Sequence, residues 1–221
     1  MLPVVDVIRS RTTPWMTVAL IAANVAAFLY SWSLTAAEAY VWVARLAFVP
    51  ADPSWLTATT SLFVHQNSVH LLLNAIVLWI FGDNVEDQLG HGRFLVLYML
   101  SGHAGWLGVL WATRWSADPA VALVGSGAAI AGVLGAYFVM FPRSRVLVLV
   151  PARSIVDAVE LPAVLVAAAW FSLQALSLAR LDRPYGIGLS LWPYVGGAVA
   201  GMLAVRVIRR PERQRVEWWG G

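Results

Sequence analysis

The chain alternates long apolar runs with short links that hold most of its arginines. A helix needs about 20 apolar residues, at about 1.5 Å each, to cross the hydrocarbon of a bilayer. On that basis six segments are predicted: Trp15–Trp32, Ser68–Phe81, Phe94–Thr113, Ser126–Phe141, Val159–Leu178 and Ile187–Ile208. The expected fold class is an all-α polytopic membrane protein, a six-helix bundle. Residues 1–13 precede the membrane domain at 14–208, and a basic tail with two tryptophans near its end occupies 209–221. The longest outer connection, about 33–56, carries an apolar stretch, Tyr40 to Val49, too short to span and expected to lie along the interface. Ser126–Phe141 is short, about 24 Å if helical, and opens on Gly125-Ser126-Gly127 rather than on a charged flank. Its start is expected inside the membrane depth, where non-helical backbone is tolerated only under cover of protein or beside a cavity.

Composition supports the same reading: 60% of residues are hydrophobic, 12% are charged and mean hydropathy is +0.71. All fifteen basic residues are arginine. They lie between apolar runs, so a basic nucleic-acid platform is excluded as the main role. Eleven fall on the side that holds both termini (Arg9, Arg11, Arg93, Arg143, Arg145, Arg153, Arg206, Arg209, Arg210, Arg213, Arg215) and four on the other (Arg45, Arg114, Arg180, Arg183). The positive-inside rule then places both termini in the cytoplasm. The first segment lacks a small-residue cleavage site and reads as an uncleaved anchor. Lysine is absent while Ala, Gly and Arg abound, which points to a GC-rich bacterial genome and to the cytoplasmic (inner) membrane of a bacterium. Without cysteine there are no disulfides, thiolate metal sites or thiol nucleophiles. Twelve tryptophans, among them Trp15, Trp32, Trp55, Trp115 and Trp192 near segment ends, fit interfacial belts.

Small residues gather in the fourth and sixth segments. Gly132 and Gly135 face the pattern Gly197-x-x-x-Gly201, and such stripes let helix backbones approach where lipid supplies no hydrophobic drive, so these two helices are expected to touch.

Polar side chains at membrane depth are costly and mark candidate sites. His70 and Asn74 stand one turn apart and share a helix face. They could aim hydrogen bonds at one point, as an anion-stabilising pocket requires, or simply join helices. His65 lies just outside that helix, and His103 on the third segment has no visible partner. A metalloprotease is excluded by the lack of HExxH. No internal repeat and few carboxylates within the segments argue against a carrier or channel. No metal or other cofactor is demanded, and a lipid or pigment between helices is left open.

Taken together, these residues resemble the rhomboid family of intramembrane serine proteases along almost the whole chain. The resemblance rests on Leu20-Ile21-Ala22-Ala23-Asn24-Val25, on His65-x4-His70-x3-Asn74, on the Phe81–Gly90 stretch expected as a turn, on Gly132-Val133-Leu134-Gly135-Ala136-Tyr137 with Phe141-Pro142-Arg143, and on Tyr194-x-x-Gly197-x-x-x-Gly201. The family implies a Ser from a Gly-x-Ser-Gly turn opening the fourth helix and a His on the sixth. Here the nucleophile position falls on Gly127 and the base position on Tyr194. Ser126 is one residue early, a rotation of about 100° that points it away from the pocket unless the turn is rebuilt. A phenol keeps its proton at neutral pH and is a poor base for an alcohol.

The resemblance therefore implies a pseudoprotease: a non-catalytic protein of the bilayer that binds transmembrane helices of a client or serves as a subunit of a larger membrane assembly. A residual oxyanion-type pocket of His70, Asn74 and the Gly127 backbone, with His65 as neighbour, is expected, and the groove should open where the fifth segment leans on the second. Trp79 and Trp170 are candidate client contacts. The tail beyond Arg209 could lie on anionic headgroups or dock on a partner. The alternative is an active protease using Ser126, with His65, His70 or His103 as base.

Overall fold

A computed structural model describes residues 2–6, 12–114, 120–152, 155–179 and 187–209. Trp115, Arg180, Arg183 and the basic tail from 210 onward lie outside the described residues, as do Arg9, Arg11 and Arg153. The described chain forms eight α-helices and a three-stranded sheet: β1 (Leu2–Asp6), α1 (Trp15–Ser33), α2 (Ala36–Leu46), α3 (Trp55–Thr60), α4 (Ser68–Leu89), α5 (His91–Thr113), α6 (Gly127–Met140), β2 (Arg145–Ala152), β3 (Ile155–Pro162), α7 (Ala163–Ala179) and α8 (Ile187–Ile208). Four helices are long and apolar enough to cross a bilayer: Trp15–Ser33, Ser68–Leu89, His91–Thr113 and Leu191–Ile208. Gly127–Met140 and Ala163–Gln174 are apolar but shorter.

The body packs around α6, whose residues from Gly127 to Tyr137 are all buried. A helix apolar on every side is stable only when surrounded, and α4, α5 and α8 enclose this one. Contact between α6 and α8 follows the glycine stripes. A Cβ on Gly201 would run into the Gly132 carbonyl, one on Gly197 into the Ala128 carbonyl and one on Gly135 into the Ala198 carbonyl. The absence of side chains thus sets the separation of the two backbones.

Two boundaries differ clearly from expectation. The second predicted segment does not stop at Phe81. The stretch Phe81–Gly90, expected as a turn, stays helical to Leu89 and ends at Gly90, whose φ of 79° suits glycine. Its polar residues have partners that keep it folded. Glu86 is fully buried and accepts hydrogen bonds from Met16 N at 2.8 Å on Oε1 and from Thr17 N and the Thr17 hydroxyl, both at 2.7 Å, on Oε2, while His91 Nδ1 also meets Oε1. The carboxylate thereby satisfies two of the orphan N–H groups that open α1.

The segment Val159–Leu178 begins as strand, and its helix starts only at Ala163. Val159 pairs with Val148 in a β2–β3 hairpin, to which β1, from the segment 1–13, adds antiparallel along β2. No strand was expected, because the valine-rich hairpin is as apolar as a short membrane helix and only its β-branched content separates the two. Val146 and Val148 pack into the helical core from this sheet.

Helix α2, with part of the stretch expected along the interface, exposes Tyr40 and Val41. Thr35 and Glu38 form a reciprocal capping box at its start.

Candidate functional site

The site is assembled where the loop before α4 meets the turn before α6. Asn67 caps α4 by accepting from His70 N at 2.8 Å, which fixes the register of His70 and Asn74 on the helix face. The turn before α6 is pinned by Phe48 and Leu123, which exchange backbone hydrogen bonds at 2.9 and 2.8 Å, and by Gly125 N donating to Ser61 O at 2.9 Å. Gly125 has a φ of 123°, a conformation L residues rarely adopt. Its bare face is covered by the His70 imidazole, since a Cβ there would lie 2.6 Å from His70 Cε1.

Gly127 and Tyr194 face each other across the next step. A Cβ on Gly127 would lie 2.6 Å from Tyr194 Cε1 and 3.1 Å from its hydroxyl oxygen. The phenol ring is itself held edge-on by Trp170 and Phe171, with centroids 5.7 and 5.5 Å away. His70, Gly125, Gly127, Gln174 and Tyr194 border a cavity of about 50 Å³, room for a few waters. Among its described lining residues the Tyr194 phenol is the one hydroxyl.

Ser126 lies behind this cavity. It is fully buried and absent from the lining, as a rotation of one residue requires. Of the three histidines weighed as its base, His65 is the one beside it: Ser126 Oγ stands 3.2 Å from His65 Nε2. The same nitrogen accepts from Asn74 Nδ2 at 3.2 Å, so two donors compete for one lone pair.

Asn74 in turn accepts from Gln174 Nε2 at 2.5 Å. Of the two roles left open for Asn74, this bond makes it a joint between α4 and α7 rather than a donor aimed with His70 at one point. Both sit on α4, but Asn74 bonds to His65 and Gln174, while His70 packs on Gly125 and edge-on to His65 at 5.0 Å. Gln174 escaped the sequence reading although it is the sole amide in the apolar run of α7, and an amide at that depth is a signal in its own right.

The remaining candidates separate. His103 has partners after all, donating from Nδ1 to Met99 O at 2.7 Å and meeting the Thr59 hydroxyl through Nε2 at 3.1 Å. Trp79 is half-exposed on α4 and free to meet another helix, whereas Trp170 is 3% exposed behind Tyr194. A client could not touch Trp170 as α7 now stands. Among the described residues no three His, Asp or Glu side chains gather as metal ligands.

With the geometry established, comparison with known proteins matches residues 52–211 to the rhomboid domain. The chain belongs to the rhomboid family. It is similar to the mitochondrial rhomboid protein 1 of Saccharomyces cerevisiae (37% identical over 91 residues, covering 41% of this chain and 26% of the relative). It also resembles the putative rhomboid protease YdcA of Bacillus subtilis, 32% identical over 91 residues, 41% of this chain and 43% of that one. To the rhomboid-like protease 3 of Toxoplasma gondii it is 28% identical over 127 residues, 57% of this chain and 46% of the other. In each case the match spans less than half the relative's length. The protein is thus a multi-pass integral membrane protein with a rhomboid domain, and its surroundings are a lipid bilayer.

Proposed function

We propose that this rhomboid-family protein does not cut peptide bonds and instead binds transmembrane helices of a client, or serves as a fixed subunit of a larger membrane assembly. The observation that carries this reading is the interlock of Gly127 and Tyr194. The position the family uses for a nucleophile has no side chain, and its space is occupied by the residue standing where the family has its base. A hydroxyl nucleophile needs an adjacent base and a path to substrate, and Ser126, the serine next to that position, is sealed behind the cavity. In this reading α6 and α7 complete a six-span bundle with both termini in the cytoplasm of a bacterium, the described side of the α4–α7 seam is the client groove, and Trp79 is its contact. Extraction in mild detergent followed by mass spectrometry tests it. A stoichiometric membrane partner is expected, and repeated recovery of a lone monomer would remove the subunit role.

A second reading has one specific observation in its favour. Ser126 and His65 form an alcohol–imidazole pair at 3.2 Å, and two of the relatives bear protease names. An active enzyme using Ser126 predicts covalent labelling by a fluorophosphonate, abolished in Ser126→Ala. The non-catalytic reading expects no label, and a label that depends on Ser126 would overturn it.

A further inference from the structure

A second cavity, of about 230 Å³, lies on the other side of Trp106 from the site, between α3 and the latter half of α5. Phe48, Trp55, Ala58, Trp106, Leu107 and Leu110 form most of its wall. We infer that it holds one hydrocarbon chain of a bilayer phospholipid, bound as a resident lipid rather than exchanged as solvent.

Three observations carry this assignment. First, the wall offers no polar group in need of a partner at its depth. Both nitrogens of His103 are engaged, by Met99 O and Thr59, and the Trp106 indole N–H donates to Ala58 O at 2.9 Å. What His103 presents is a ring, standing 5.8 Å from that of Trp55. An unbonded polar ligand group buried here would forfeit its hydration without replacement, whereas a chain of methylenes loses nothing.

Second, the volume lies in the range that takes up a small apolar guest. Apolar cavities of about 150 Å³ take up benzene-sized guests, while drug-sized ligands occupy about 300 Å³ or more. At 230 Å³ the space suits part of a single acyl chain.

Third, the mouth is continuous with the surface the bilayer already covers. Leu107 is 59% exposed, Trp55 77% and Leu56 69%, and Val96, Leu100 and Trp111 extend the same apolar exposure along α5. At the rim Ser54 accepts from Leu56 N at 3.2 Å and retains its hydroxyl proton, a donor placed for the ester or phosphate end of the lipid.

Protein reconstituted in phosphatidylglycerol–phosphatidylethanolamine vesicles, re-extracted in mild detergent and weighed by native mass spectrometry provides the test. One phospholipid per chain is expected in the wild type. It is lost in Leu107→Trp and in Leu110→Phe, which fill the mouth and the wall, and kept in Leu100→Trp, an equally exposed position of α5 outside the cavity. Thermal unfolding in the same detergent identifies a filling variant that fails to fold, and the other then decides. A wild type that carries no phospholipid or only a detergent adduct, or folded filling variants that retain as much lipid as the wild type, overturns the assignment.

Discussion

The ring of Tyr194 stands in the space that a side chain on Gly127 would need, with Cε1 2.6 Å and the hydroxyl oxygen 3.1 Å from the place of a Cβ. The two positions that the resemblance marks as departures from the protease pattern are therefore neighbours in space. The tyrosine fits because the glycine is bare, and Trp170 and Phe171 pack edge-on against its ring.

Gly127→Ser should accordingly cost about 1–3 kcal/mol, the usual penalty of overpacking a filled site. Tyr194→His alone should open a gap. The double variant Gly127→Ser/Tyr194→His should recover most of the stability, so that the two changes are strongly non-additive. Thermal unfolding in detergent of the four proteins measures the coupling, and simple additivity would refute the interlock.

Gln174 joins α7 to α4 through Asn74 Oδ1 at 2.5 Å. Interhelical hydrogen bonds in membranes contribute about 0.6 kcal/mol on average and up to about 2. Gln174→Leu should cost that much and widen the distribution of distances between α4 and α7. Spin labels at the exposed positions Leu72 and Leu165, read by pulsed dipolar spectroscopy, report it. An unchanged distribution would mean that apolar packing alone holds α7 in place.

Glu86 carries three hydrogen bonds from the start of α1, all of them ending on its two carboxyl oxygens. A buried donor left without its acceptor costs about 1–3 kcal/mol. Glu86→Gln turns an amide N–H toward one of these donors and should lower stability by more than about 2 kcal/mol. It should also raise hydrogen exchange at whichever of Met16 and Thr17 then faces the amide N–H, while leaving α6 and α8 protected.

At the start of α2, the Thr35 hydroxyl and backbone N–H donate to the Glu38 carboxylate and hold its pKa below the ordinary value of 4.5. A depressed carboxylate stabilises the cap above its unfolded pKa, and that stability is lost as pH falls through the folded value. Amide exchange at Ala36–Glu38, compared between wild type and Glu38→Gln, should differ at neutral pH and converge as the medium is acidified below the ordinary carboxylate range.

Hydrophobic runs, their order and the glycine stripes of α6 and α8 were all legible in the sequence, because the length of an apolar run and the spacing of small residues depend on the chain alone. The same is true of the shared helix face of His70 and Asn74. Which groups those residues meet was a matter of tertiary structure. Spacing on α4 brings His70 and Asn74 to one side, but it is the loop carrying His65 and the approach of α7 that give Asn74 its partners. Trp170 reads as a surface tryptophan until α8 brings Tyr194 against it. The sheet, likewise, exists because β1 and the hairpin at residues 145–162 meet across most of the chain's length. Periodicity reports the direction in which a side chain leaves its own helix, whereas hydrogen bonds and steric exclusion depend on distances between elements, which packing alone decides.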